Sequence, residues 1–317
     1  MSRAVVAAYV ACALIWGTTW YAIRVCIGPD GFPTLPAAAV RFVLAALLLT
    51  PLGLRARPRP VGAQWAWLVL AGVLDAAGYA LVYLGEERVP GGISAVVFGT
   101  QPLLLALLLT ATRMERVGWG DVAGALVSLA GVGVIFADRL DVSATQAVGV
   151  AMILGSVLAS TTYAMIMKRH GEQVHAFTST WIFISVTAIC LCIAAAVHGF
   201  SLPWPPPVAP TLALVYLAVF GSVIAFATYF WLLSQVSLMT MGTLSFVIPI
   251  IALVVDALFE AQVRLGVRGY LGIGVTLSGL VVSLAWKRYV GAPAPAGLEP
   301  ELAPSVPPEP SASSPAI

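Results

Sequence analysis

Few residues of this chain are equipped for chemistry, and the sharpest is Asp75, a carboxylate inside an apolar run, with Arg41 inside the run before it. At 1.5 Å per residue Asp75 lies roughly 16 Å deep in a helix that starts near residue 64. A charge there costs at least about 2.5 kcal/mol on insertion scales, so the carboxylate must be paired, protonated or turned toward water. Depth counted from both ends separates it from Arg41 by about 7 Å, within reach of an arginine side chain. Three roles follow: a structural ion pair with Arg41, an anchor for a substrate amine, or a carrier of a coupled proton. Tyr79 and Tyr83 are one helical turn apart, as are Phe226 and Phe230, so each pair presents two rings on one face. With Trp16, Trp20 and Tyr163 they suit a cavity that stacks on apolar, planar or cationic groups. The alternative is plain core or interface packing, which is the expectation for Tyr83, Trp231 and Trp286. Pro102 and Pro249 each delete a backbone donor within an apolar span, predicting kinks that free carbonyl oxygen near mid-membrane. Thr18, Thr19, Thr161 and Thr162 either donate into a cavity or bond back to their own helix. The candidate solute cavity is therefore Trp16, Thr18, Thr19, Asp75, Tyr79, Gln101, Pro102, Thr162, Tyr163, Phe226, Ser245 and Pro249, with Arg41 beside Asp75.

The elements that position these residues follow from composition. Hydrophobic residues make up 60% of the chain and charged residues 9%, with a mean hydropathy of +0.97, a balance that excludes a water-soluble domain. A membrane helix needs about 20 apolar residues, and ten spans can be drawn: 4–27, 36–54, 64–85, 92–112, 118–137, 146–167, 176–198, 210–233, 239–259 and 267–286. The first has no convincing cleavage site and is expected to stay as a helix. With the N-terminus inside, ten basic residues from Arg3 to Arg288 face four outside, Arg88, Arg139, Arg264 and Arg268. That asymmetry predicts a multi-pass protein of the cell inner membrane with both termini cytoplasmic.

The chain is also written twice. Tyr79, Tyr83, Val89 and Pro102 recur 147 residues later as Phe226, Phe230, Val236 and Pro249; Gly124, Ser128 and Gly131 recur after 148 as Gly272, Thr276 and Gly279. Gly17-Thr18-Thr19-Trp20 matches Ser160-Thr161-Thr162-Tyr163 at offset 143. Agreement of special residues under small drifts of offset marks an old duplication. Five spans per half is an odd number, so the second repeat must lie inverted, the arrangement that alternating access uses. The expected fold is an all-α polytopic membrane protein of ten transmembrane helices, two inverted five-helix repeats at 4–137 and 146–286 around a central cavity. Residues 138–145 form an outer loop and 287–317 a Pro/Ala-rich cytoplasmic tail with nothing to bury.

Several classes of function are excluded or disfavoured. No G-x-x-x-x-G-K-[ST] loop is present, so ATP hydrolysis by this chain is out. There is no H-E-x-x-H and no G-x-S-x-G, and His170, His175 and His198 fall near span ends, which argues against an enzyme. Cys12, Cys26, Cys190 and Cys192 lie in apolar surroundings and read as packing residues, so no metal or other cofactor is expected. Nothing suggests nucleic acid. Asp256 and Arg24 sit near outer helix ends and read as snorkelling, while Glu115 and Glu260 precede the last helix of each repeat, at its positive dipole end. Small residues four apart, as at Gly120 and Gly124 or Gly272 and Thr276, let helices approach closely in either a monomer or a homodimer.

Leu14-Ile15-Trp16-Gly17-Thr18-Thr19-Trp20, the arginine of Ala39-Val40-Arg41-Phe42, Gln101-Pro102, Met114-Glu115-Arg116 ahead of Gly124, and Pro249 with Glu260 ahead of Gly272 form a set. Over about residues 4 to 286 that set resembles the EamA-type drug/metabolite transporter (DMT) superfamily. The resemblance implies a ten-helix carrier of two inverted repeats with a central cavity, often an exporter of amino acids or related metabolites. Two features depart from it: Ala159 stands where the first repeat has Trp16, and Asp75 is not part of the pattern. The expected function is a secondary carrier that exports a small organic solute by alternating access, the direction coming from the resemblance alone. The alternatives are an uptake permease for a vitamin, carboxylate or nucleotide-type metabolite, and a lipid flippase.

Overall fold

The computed structural model describes residues 2–88, 94, 97–135, 144–259 and 266–289. Glu260, the start of the span drawn at 92–112, most of the loop at 138–145 and nearly all of the tail lie outside the described residues. Twelve α-helices are described: α1 (Arg3–Ile27), α2 (Thr34–Arg55), α3 (Gln64–Glu86), α4 (Gln101–Thr112), α5 (Trp119–Ile135), α6 (Ala144–Ile166), α7 (Ala176–Val197), α8 (Val208–Tyr216), α9 (Ala225–Leu233), α10 (Leu238–Gly242), α11 (Leu244–Phe259) and α12 (Val267–Tyr289). Wider π turns follow α6 at Met167–Gly171 and join α8 to α9 at Leu217–Ile224. Helices α8 and α9 thus make one span, as do α10 and α11, and the total is ten. Seven spans among the described residues are long and apolar enough to cross a membrane.

Burial runs inside out relative to a soluble protein. Leu107, Ile189, Ile193, Val197 and Leu258 are exposed, whereas Arg41 and Asp75 are each 1% exposed. Apolar side chains face outward because lipid accepts them, and these two charges within the spans are turned inward where partners can hold them.

The helix pairing carries the signature of a two-fold. Helices α2 and α7, equivalent by the duplication, pack on each other, and so do α5 and α12. Where α3 packs on α6, α1 packs on α8 and α9; where α3 packs on α7, α2 packs on the Leu217–Ile224 turn. Such reciprocity defines an isologous contact. Along the α5–α12 seam Gly120 lies against Trp286, Ser128 against Thr276 and Gly131 against Gly272, so the two helices run antiparallel and the repeats are inverted. Ser128 Oγ donates to Thr276 O at 2.9 Å, and the mirrored approach of Thr276 Oγ1 to Ser128 O is 3.5 Å. A side chain on Gly131 would strike the backbone of Thr276, and one on Gly279 the backbone of Ser128. These small-residue faces are therefore used within one chain. Gly17 plays the same part between α1 and α11, where a Cβ would overlap Ile251.

Two expectations are corrected here. Pro102 does not kink a helix mid-membrane: it falls in the first turn of α4, just after a turn at Thr100. A missing donor costs nothing there, since the first N–H groups of a helix have no partner to lose. Pro249 does lie inside a helix, α11. Glu115 does not serve the helix it precedes, because its Oε1 accepts from Leu238 N at 2.9 Å, at the start of α10 in the other repeat.

Candidate functional site

Between the repeats lies a cavity of about 150 Å³. A single water needs about 10–15 Å³ of such space, so a small solute has room. Spans from both repeats line it: Trp16 and Thr19 from α1, Arg41 from α2, Asp75 and Tyr79 from α3, Gln101 from α4, Tyr163 from α6, Phe226 from α9, and Ser245 and Pro249 from α11. Thr18, Pro102 and Thr162 are not among its walls. Adjacent helical residues point about 100° apart, and the Thr18 hydroxyl turns to Ile15 O at 2.7 Å and to Tyr216 Oη at 2.5 Å. Thr162 donates to Leu158 O at 2.8 Å, leaving its neighbours Thr161 and Tyr163 on the cavity side. Pro102 borders a separate small recess with Asp121 and Phe246.

Arg41 is held on every side. Its Nε donates to Ser222 Oγ at 2.9 Å, Nη1 to Tyr83 Oη at 3.3 Å and Nη2 to Gly221 O at 3.4 Å. The guanidinium carbon lies 5.0 Å from the Tyr79 ring centroid and 5.1 Å from that of Phe42, close enough for cation–π attraction. Tyr83 is thus a fully buried partner of Arg41, not an interface residue. The wider Leu217–Ile224 turn accounts for the backbone contact: loosening the helical ladder turns the Gly221 carbonyl inward, where it also accepts from Trp16 Nε1 at 3.4 Å. Turns of this kind recur at functional sites.

Asp75 has its own partner. Thr187 on α7 lies with Oγ1 2.9 Å from Asp75 Oδ2, 2.9 Å from Phe183 O and 3.1 Å from Gly72 O. No ion pair joins Asp75 to Arg41, so the structural bridge, one of the three roles open to Asp75, is not made: Ser222, Tyr83 and Gly221 take three of the five N–H groups of the guanidinium, and Thr187 holds the carboxyl. The cavity wall therefore holds a guanidinium and a carboxyl group with no direct bond between them. Gln101 spans the repeats, donating from Nε2 to Ser160 Oγ at 3.2 Å and accepting from Ser245 Oγ. Rings close the rest. Trp16 packs on Phe226 and Tyr229 with centroids 5.6 and 5.1 Å away, and Tyr79 meets Phe226, its equivalent in the duplication, at 6.3 Å.

Ser222, Thr187 and Tyr229 escaped the sequence reading. The offset that paired Tyr79 with Phe226 also pairs Asp75 with Ser222, so the duplication held that signal; Thr187 is one of several hydroxyls in an apolar helix and had none.

The family model of the EamA-like transporter family matches residues 3–137 and again 147–285. The chain belongs to the EamA-like transporter family. It is similar to the probable terminal-alkyne amino-acid exporter of Streptantibioticus cattleyicolor, with 27% identity over 81% of this chain and 85% of that one. It is 28% identical to the uncharacterized inner membrane transporter YedA of Escherichia coli, over 85% of this chain and 87% of the relative. Protein PecM of Dickeya dadantii is 27% identical over 84% and 88%. A solved crystal structure of a protein superposes with a TM-score of 0.75 at 19% identity, covering 92% of this chain and all of the other, which speaks to the fold. This EamA-like chain is accordingly a multi-pass membrane transporter of the drug/metabolite type.

Proposed function

We propose that this transporter exports a small zwitterionic metabolite of the amino-acid class by alternating access, from a cytoplasm that holds both chain termini, across the cell inner membrane. The observation that carries the reading is the pair of opposite, buried charges with no direct bridge, Arg41 and Asp75, lining one cavity. A solute carboxylate matches the guanidinium and an ammonium matches Asp75 and the rings of Trp16, Tyr79 and Phe226. The similarity to the probable terminal-alkyne amino-acid exporter supports both substrate class and direction.

Asp75 is the group through which a proton gradient would drive the cycle. The Thr187 hydroxyl has one hydrogen and three oxygens within reach. It serves the carboxylate when Asp75 is ionised. When Asp75 carries a proton and donates to Thr187, the hydroxyl turns to Phe183 O or Gly72 O, so the network closes in both states. The test is Asp75→Asn in proteoliposomes loaded with a labelled amino-acid panel, with and without an imposed pH gradient. Gradient-driven efflux should disappear in the variant while folding is kept; efflux indifferent to both gradient and substitution would refute the coupling role, and transport of no panel member would refute the substrate class.

A further inference from the structure

At the end of the bundle where α1 begins, the cavity is bounded by α9 and α10, which the turn at 234–237 joins. Helix α9 contributes Phe226 and Tyr229 to the cavity, and α10 contributes Leu238, Met241 and Gly242. A charged side chain from outside holds each half of that turn. From the π turn after α6, Lys168 Nζ donates to Leu233 O at 2.6 Å and to Val236 O at 3.1 Å, and its third hydrogen faces Glu172 Oε1 at 2.6 Å. The ammonium has three donors and three acceptors, so it is fully satisfied. From the α4–α5 connection, Glu115 Oε1 accepts from Leu238 N at 2.9 Å, while Ser237 Oγ takes Thr240 N at 3.2 Å. The signs are matched to the backbone: a cation sits on the carbonyls that end α9, an anion on the amides that begin α10. One clamp belongs to each repeat.

We infer that Lys168 and Glu115 form the latch that shuts the cavity at this end, and that both must let go of the 233–238 turn before a solute can pass there. The inference rests on the alternating-access reading of the cavity. If α9 and α10 swing away from α6 and from the α4–α5 connection, these are the polar contacts that break. The wider turn at Met167–Gly171 sets the reach of Lys168. The position is suited to release, because Lys168 is 20% and Glu172 41% exposed at the side chain, so water can solvate both once they part.

The experiment uses the full chain with Cys12, Cys26, Cys190 and Cys192 replaced by alanine and one reporter cysteine added. Met241→Cys reports the latched end and Ile23→Cys, near the far end of α1, reports the opposite end; both side chains line the cavity. Labelling by a membrane-impermeant maleimide is followed separately from each face of oriented vesicles. In Lys168→Met and in Glu115→Ala the Met241→Cys reporter should label at least about tenfold faster from the latched face, the shift expected for losing one charge-assisted hydrogen bond. The Ile23→Cys reporter should slow from the other face, because opening one end closes the other. Lys168→Arg, which keeps the cation, should restore the original pattern. Faster labelling of both reporters would mean a loosened fold and would overturn the latch, as would no change in either. If each reporter in the otherwise unaltered chain labels equally from both faces, the alternating-access reading falls and the latch with it; unchanged labelling in the variants of a chain that transports refutes the latch alone.

Discussion

Replacing Ser222 with alanine removes one oxygen, the acceptor 2.9 Å from Arg41 Nε, and leaves the rings of Tyr79 and Phe42 beside the guanidinium. Ser222 and Arg41 are both buried, so water can replace the acceptor only by entering the cavity. A hydrogen bond to a charged group contributes about 1.5–3 kcal/mol, and a buried donor left unpaired costs about as much. The expected loss of stability is about 2 kcal/mol, roughly thirtyfold in the folding equilibrium. Tyr83→Phe is the internal comparison: its 3.3 Å contact is longer, and the expected loss is about 1 kcal/mol. Because both partners act on one guanidinium, the double variant should not show the sum of the two losses. Titration of detergent-solubilised protein with SDS, followed by the fluorescence of its nine tryptophans, reads all three. A loss below about 0.5 kcal/mol for Ser222→Ala, or a larger one for Tyr83→Phe, would refute the claim that the Leu217–Ile224 turn is what pins Arg41.

The pseudo-two-fold makes a paired prediction: Gly131→Val and Gly279→Val should each cost about 1–3 kcal/mol or more by overpacking against backbone, and by similar amounts, in the same titration. A large cost at one and none at the other would refute the symmetric seam. Trp16→Phe should lose less than about 1 kcal/mol, since it keeps contact with Phe226 and Tyr229 and gives up a long 3.4 Å bond to Gly221 O, whereas Trp16→Ala should lose about 3–5 kcal/mol.

What sequence made legible was whatever repeats or punctuates. Hydropathy drew the spans, and helix starts such as Gln64 and Ala176 fall on the drawn limits because apolar length and turn residues act locally. The seam of Gly124, Ser128 and Gly131 with Gly272, Thr276 and Gly279 was visible as a repeated spacing, since each half of a two-fold contact must carry the same small residues. Asp75 and Arg41 stood out because charges inside apolar runs are rare. What stayed hidden depends on rotation and on backbone irregularity. The π turn at Leu217–Ile224 has no composition of its own, yet it decides which carbonyl meets Arg41. Whether Thr18 or Thr19 faces the cavity is a matter of about 100° of helix rotation, which packing against α8 and α11 sets and a short motif does not. The bridge from Asp75 to Arg41, one of three roles the sequence left open, rested on depth along the membrane, which says nothing of the direction in which each side chain leaves its helix.

The scaffold is symmetric and the charges are not. Both charges that line the cavity come from the first repeat, Arg41 from α2 and Asp75 from α3, while α7 and the α8–α9 span, their equivalents in the second repeat, carry no charged residue at all. The second repeat supplies hydroxyls instead, Ser222 to Arg41 and Thr187 to Asp75. Each hydrogen bond therefore crosses the boundary between the halves, along the plane where inverted repeats move against one another. On the proposed alternating-access cycle, rocking one half over the other would shift the acceptor away from the guanidinium and the donor away from the carboxylate, and a buried charge that loses a partner is costly. The proposed zwitterionic solute, or a proton on Asp75, would replace those partners during the movement. On that reading the asymmetry ties the occupancy of the cavity to the motion of the repeats, a role that two neutral, identical halves would not perform.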